Sequence, residues 1–336
     1  MPFPDGWYAA AISHAIRRRP VRLRRFGREL VAWRDAAGRP ACVHAACPHR
    51  GADLALGRTR DGLLECPYHG FRFAADGRCA RAPCQGHSSR VPGRLRAQVV
   101  PAQEQYGLVW LWWGSGEPTA RVPWFASLKP QDPVATVAGV YACHFTRYME
   151  NALDLHHLAF VHRLVLPFVG SVVDMRKTSL DGDAIYAEGR ILPGPGERLR
   201  WPADFILEAR FPGLTRLELL GAELLVAACP QDERSTWVAG RYYRPRFGTG
   251  VLARTAGWLA AQADYQTAQR QDRRVLRSIR PLVGSPRTNT MVSADRPISL
   301  WYARLAQSER EERPQPACPA RPSAGHTARD TRDRGE

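Results

Sequence analysis

Four residues of this chain have types and spacing suited to holding a metal: Cys47, His49, Cys66 and His69. They lie in Cys47-Pro48-His49-Arg50-Gly51-Ala52-Asp53-Leu54 and Cys66-Pro67-Tyr68-His69-Gly70-Phe71, an order of Cys-x-His, sixteen residues, then Cys-x-x-His. Two thiolates and two imidazoles can bind a zinc ion. They can equally bind a [2Fe–2S] cluster in which the cysteines hold one iron and the histidines the other. Common zinc patterns place Cys beside Cys and His beside His. Here each arm carries one of each, which suits two similar loops, each offering a thiolate to an inner iron and an imidazole to an outer one. Pro48, Gly51, Pro67 and Gly70 are the turn formers such loops need.

A second concentration of donors lies in Arg147-Tyr148-Met149-Glu150-Asn151-Ala152-Leu153-Asp154-Leu155-His156-His157-Leu158-Ala159-Phe160-Val161-His162. Its composition is helical and it contains no breaker. Three histidines and an acid crowd an otherwise apolar segment. Two histidines and one carboxylate form the facial triad of non-haem Fe(II) oxygenases, which leaves positions open for O2 and substrate. Five residues of ideal helix turn about 500°, so His157 and His162 do not share a face unless the helix bulges or breaks between them. Asp154 lies three residues before His157, on the same face, where it can orient a ligating imidazole through the other ring nitrogen.

The first pair of motifs resembles the signature of the Rieske proteins almost letter for letter. The second, Asn151-x-x-Asp154-x-x-His157-x4-His162, is similar to the mononuclear-iron motif of Rieske non-haem iron oxygenases. The resemblance covers roughly residues 5–305 and looks closer to the vanillate demethylase and pheophorbide a oxygenase branch than to the α/β ring dioxygenases. It implies the terminal oxygenase (alpha) subunit of a monooxygenase system, which hydroxylates, demethylates or desaturates a small organic substrate. Implied with it are a [2Fe–2S] cluster on Cys47, His49, Cys66 and His69, and a mononuclear Fe(II) on His157, His162 and an acid from a late helix. O2 is the implied cosubstrate. Asp272, in Gln269-Arg270-Gln271-Asp272-Arg273-Arg274-Val275-Leu276, fits that acid, with Asp264 as the alternative. Asn151 and Asp154 fall on catalytic positions, and Asp154 is implied to bridge toward the cluster histidine of a neighbouring subunit. A reductase or ferredoxin as electron donor and a homotrimeric ring are implied too. High-potential Rieske proteins carry an added loop disulfide from a second Cys in each motif, and this chain has none there. A Rieske electron carrier with an inactive second metal site is the alternative reading.

The elements that must position these groups follow from the pattern. Residues 5–113 carry short strands with frequent turns, among them the Asp76-Gly77 hairpin. They predict a small antiparallel β domain with the donor loops at its tip. Segments 179–191, 204–211, 215–228 and 235–244 predict a curved antiparallel sheet, and 250–279 a helix stopped by Pro281. Asn289 to Ala303 reads as strand-like. The expected fold class is α+β: a β Rieske domain over 1–115, a linker over 116–133, a catalytic domain of antiparallel sheet flanked by helices over 134–306, and a disordered tail over 307–336.

Composition narrows the rest. The 336 residues are 44% hydrophobic, enough for a sizeable core, and the formal charge is +16. Lys129 and Lys177 are the only lysines, and the arginines are scattered apart from a run at 17–28. The charge reads first as arginine written in place of lysine by a GC-rich genome and second as a basic face that docks an acidic electron-transfer protein, two readings that can hold together; nucleic acid is not expected as a partner. The opening MPFPDGWYAA does not look like a secretory signal, and no apolar run is long enough to span a bilayer. A cytoplasmic protein with free thiols is expected. The chain contains neither a G-x-G-x-x-G fingerprint nor a plant-type C-x4-C-x2-C run, so NAD(P)H is expected to act only through a partner.

Overall fold

The computed structural model of the chain describes residues 3–17, 19–85, 91–128, 133–243 and 251–311. The architecture is α+β, and all the sheets are antiparallel.

The N-terminal third builds three small sheets. One joins Gly6–Ile12, Leu108–Trp113 and Ala102–Gln105; a second joins Val21–Arg25, Arg28–Arg34 and Pro40–His44; a third joins Arg58–Arg60, Leu63–Glu65, Arg72–Phe73 and Cys79–Arg81. The last two share a core of Val31, Trp33, Val43, Leu54, Leu64, Phe71 and Phe73, and Cys47 and Cys66 are buried in it. The Asp76-Gly77 turn forms as its sequence demands, with Gly77 at φ 79° and its N–H donating to the Ala74 carbonyl.

A seven-stranded meander forms the second half. Its spatial order is Ala135–Tyr141, Ser235–Tyr243, Ala222–Asp232, Leu214–Leu219, Ala203–Arg210, Ala184–Leu192 and Val172–Asp181. Burial along Ala184–Leu192 alternates residue by residue, the period-two signature of one face on a core. The segment expected as a single strand over 215–228 is instead a hairpin. Leu220 and Gly221 both take positive φ, 53° and 73°, which is a type I′ turn. Leucine is a poor turn former, so the sequence carried only half of that signal.

Four α-helices complete the described residues: α1 (Phe145–Leu153), α2 (His157–Val161), α3 (Val251–Ser278) and α4 (Arg296–Glu311). The strand-like reading of Asn289 to Ala303 is corrected, because most of it starts α4. The Asp295 carboxylate accepts from the Val292 N–H just ahead of α4, and Pro297 falls in the first turn, where its missing N–H costs nothing. Ile298, Trp301, Tyr302 and Leu305 then repeat at helical spacing and are buried. Residues 307–311, expected to open the tail, complete α4. Residues 312–336 lie outside the described residues.

One core runs between the two halves. Tyr8, Phe26, Val109 and Leu111 pack with Phe145, Tyr148, Phe205, Phe211 and Trp301. Part of the expected linker also packs inward, with Val122, Phe125 and Leu128 buried among Trp7, Trp110 and Leu225. Both donor groups therefore stand on one packed body. No described helix is long and apolar enough to cross a membrane.

Candidate metal centres

The two donor loops of the N-terminal third are copies of one backbone design. In the first, Cys47 N–H donates to the Ala52 carbonyl (2.8 Å) and Gly51 N–H to the Cys47 carbonyl (2.8 Å). In the second, Cys66 N–H donates to Phe71 (2.8 Å) and Gly70 N–H to Cys66 (3.1 Å). Gly51 and Gly70 take φ of 73° and 71°, a left-handed turn that glycine adopts without strain. Each loop thereby buries its cysteine and turns its histidine outward. Cys47 and Cys66 are buried, whereas His49 is exposed and His69 half-buried.

The donors separate into pairs. The two histidine Nδ1 atoms lie 3.2 Å apart. The two thiols are neighbours, and burial pushes the Cys47 thiol up to about 11, with Cys66 beside it adding to the rise. A tetrahedral zinc site needs four donors closed on one point. Among the described residues, the groups of three or more donors with ligand atoms within 4.8 Å of one another include none of these four residues. A buried thiol pair behind an exposed imidazole pair fits a [2Fe–2S] cluster instead, one iron to each pair.

The second donor group forms where α1, α2 and α3 meet the seven-stranded sheet. Arg147 anchors α1 from a buried position, donating to the Pro281 carbonyl (3.1 and 2.9 Å), Glu150 (2.7 Å) and Asn289 (2.9 Å). The helical run breaks twice: after Val161, between His157 and His162 as their spacing requires, and earlier, between α1 and α2. The earlier break is at Asp154, whose backbone is extended (φ −87°, ψ 133°) and whose carboxylate accepts from the His156 N–H at 2.7 Å. That local bond competes with helix and redirects the chain. His157 opens α2, and His162 follows its last residue at φ −98°, ψ 20°. The two rings end 5.0 Å apart.

His157, His162 and Asp272 converge, with ligand atoms within 4.8 Å of one another. Asp272 Oδ1 lies 3.2 Å from His162 Nε2 and 3.9 Å from His157 Nε2. This buried oxygen has no hydrogen-bond partner among the described residues, a state that costs free energy unless a cation takes it up. Burial lowers the His162 pKa, yet Asp272 outweighs it and holds the imidazole above its usual range. The site thus attracts positive charge at the point where a divalent ion would sit. The outer ring nitrogens are held from behind. His157 Nδ1 is 3.3 Å from Asp154, and His162 Nδ1 is 3.0 Å from Gln271 Oε1. Such contacts fix which nitrogen faces a metal. Burial raises the Asp154 carboxyl, but its contacts with His157 and His156 win and hold it below the usual range.

Asp264, the alternative acid, is outside this group: its carboxylate accepts from the Tyr242 hydroxyl at 2.8 Å. Asp154, His156 and Asp295 form a second close trio, but Asp154 and Asp295 each cap a backbone N–H. Gln271 went unassigned in the sequence, although it directly precedes Asp272. Beside the converging donors is a cavity of about 440 Å³ lined by Asn151, Leu158, Leu166, Leu217, Leu224, Val226 and Val238 among others. Phe205, Phe211 and Leu219 are all core residues, and Leu219 also lines the cavity.

Residues 6–101 match the family model of the Rieske [2Fe-2S] domain. The chain is 34% identical over 170 residues to aminopyrrolnitrin oxygenase PrnD of Pseudomonas fluorescens, covering 47% of this chain and 46% of that protein. It is 31% identical over 250 residues to the 4beta-methylsterol monooxygenase of Methylococcus capsulatus, covering 68% and 65%. The chain carries a Rieske [2Fe-2S] domain and is similar in sequence to these two oxygenases. Its matches span 46% and 65% of the length of these curated relatives. The fold of this Rieske protein is also that of dicamba monooxygenase bound to 3,6-dichlorosalicylic acid, at a TM-score of 0.70 and 20% identity over 91% of this chain and 97% of that one.

Proposed function

We propose that the protein is the terminal oxygenase of a Rieske monooxygenase system. The observation that carries this reading is the pair of distinct donor groups on one packed body, the second of them opening on an apolar cavity. In this reading Cys47 and Cys66 hold the inner iron of the cluster, and His49 and His69 the outer one. The Nε2 atoms of His157 and His162, with Asp272, hold a mononuclear ferrous ion. When bound, the cluster supplies single electrons and the ferrous ion supplies the position at which O2 is reduced beside the substrate.

The chain's own residues do the rest. Asp154 and Gln271 fix the ligating rings, and the aliphatic wall excludes water and holds the substrate against the open side of the metal group. The exposed His49 and the half-buried His69 would form the edge at which electrons reach and leave the cluster. An external reductase or ferredoxin is the donor. Asp154 would bridge from His157 toward the cluster histidine of a neighbouring chain, which calls for a closed heterologous ring, a homotrimer. The outcome is hydroxylation, or demethylation or desaturation, of a small organic molecule.

Metal and sulfide analysis tests the assignment directly. Three irons and two sulfides per chain, with O2 consumption driven by NAD(P)H through a reductase, are the expected result. Two irons per chain, with ordinary cluster spectra and no O2 consumption, point to an electron carrier and refute the oxygenase.

A further inference from the structure

The cavity beside the ferrous-ion group has an acid that the metal does not use. On α3 the small residues Gly257, Ala260, Ala261 and Ala268 leave room along one wall, and Asp264 and Asp272 project from that same wall. The two acids are eight residues apart, about 12 Å along the helix axis. Asp272 belongs to the metal group, and Asp264 lies about two turns earlier on the α3 wall that runs from Gly257 to Asp272. Tyr242, also at the cavity, donates its hydroxyl to Asp264 Oδ2 at 2.8 Å.

Asp264 has no arginine or lysine paired with it among the described residues. Nor does any described arginine or lysine line the cavity. Of the other acids there, Glu223 is ion-paired with Arg216 and Asp154 faces His157. Apart from these groups the walls are mainly aliphatic and aromatic. A carboxylate facing a mainly apolar space favours a positive or hydrogen-donating group and repels an anion.

We infer that the cavity selects an apolar amine, its nitrogen held by the Asp264 carboxylate and its oxidised carbon near His157, His162 and Asp272. This rests on the oxygenase reading and narrows it, because it disfavours the aromatic acids that a Rieske oxygenase can also accept. The volume of about 440 Å³ suits a molecule of one or two rings or the equivalent chain. The length of α3 between the two acids sets the reach between the held nitrogen and the reacting carbon.

The test is calorimetric titration of the anaerobic, reduced, iron-replete protein with three probes of one shape: 4-phenylbutylamine, 4-phenylbutan-1-ol and 4-phenylbutanoate. The amine is expected to bind at least tenfold more tightly than the alcohol and the butanoate. In Asp264→Asn the amine should fall to within about threefold of the alcohol. In Tyr242→Phe, which keeps the carboxylate, the preference for the amine should persist. Iron content and the visible cluster spectrum show that each variant is folded. Butanoate or alcohol binding as tightly as the amine, no amine binding at millimolar concentration, or an undiminished amine preference in Asp264→Asn each overturns the inference. If Asp264→Asn does not fold, the wild-type ranking alone decides. The measurement needs no turnover, so its failure leaves the oxygenase reading standing, and a missing third iron would sink that reading on separate grounds.

Discussion

Gln271 offers the sharpest test of how the ferrous-ion group is built. Its Oε1 is 3.0 Å from His162 Nδ1, and His162 is only 5% exposed. With the proton on Nδ1 donated to this amide oxygen, the Nε2 lone pair must face Asp272 and the metal. Gln271→Leu keeps the bulk and removes the acceptor. The Nδ1–H is then buried without a partner, at a cost of about 1–3 kcal/mol. The imidazole can escape that cost by moving its proton to Nε2, which closes the ligand position. Either route takes a similar toll on metal binding, a loss of about 10–100-fold in affinity, equivalent to about 1.4–2.7 kcal/mol. Competition against a chelator, following Fe(II) or Co(II) release from the second site, gives that ratio. Gln271→Glu supplies a stronger acceptor and should hold the metal at least as tightly as the wild type. The cluster spectrum should be unchanged in both variants, since its donors stand on other loops. An affinity for Gln271→Leu within threefold of the wild type refutes the idea that this contact sets the ring.

Three further outcomes follow from the same geometry. Asp154→Ala should retain most of the iron at both sites, because neither donor set loses a ligand, yet abolish reductase-driven O2 consumption; normal coupled turnover would refute its bridging role. Burial raises the Glu65 carboxyl, but Arg72 and Arg58, each 2.7 Å away, outweigh it and hold it below the usual range. Glu65→Gln should therefore destabilise the second cluster loop by about 1–3 kcal/mol at pH 7. Because the folded-state value is the lower one, this contribution is complete above the unfolded carboxyl value of about 4.3 and disappears as pH falls through the folded one. Thermal denaturation of the two proteins should converge in that acid range, and a gap that widens there contradicts the pairing. Leu220→Asn should raise stability by about 0.5–1 kcal/mol, since Leu220 is 40% exposed and sits at φ 53°, which asparagine tolerates better; a lower denaturation midpoint would show that Leu220 packs more than it strains.

Much of the chemistry was legible because it is local. The cluster loops are short, and each fixes its own shape through one cysteine, one glycine and two backbone hydrogen bonds. The convergence of His157 with His162 was legible, since an unbroken helix cannot bring them together and α2 does end at Val161, before His162; the earlier break at Asp154 was not foreseen. It depends on Asp154 choosing a bond to the His156 N–H over helix, a competition between two conformations of similar energy. Asp272 over Asp264 could be anticipated only by resemblance. Both acids lie on the same face of α3, and what separates them is a partner 22 residues away in sequence, Tyr242, which takes up Asp264. The start of α4 was misread for a related reason. Ile298, Trp301, Tyr302 and Leu305 have helical spacing, but the segment before them lacks regular periodicity, and the capping bond of Asp295 to Val292 leaves no pattern in apolar residues.

The same contrast explains why one helix can serve two purposes. The inner face of α3 carries an acid for the metal, a small-residue wall and a second acid for the cavity, and none of these positions contributes a large apolar side chain. A helix with so few apolar anchors on its inner face gains little from core burial along that stretch. Its position is set instead by polar contacts, such as Gln271 to His162 and Tyr242 to Asp264, and by Leu276 in the core. Occupying the metal group therefore stabilises the cavity wall as well. Removing the metal should loosen α3 first, and hydrogen exchange in its middle turns should accelerate while the cluster loops remain protected. Uniform protection of α3 with and without the metal would show that its packing is independent of the site it builds.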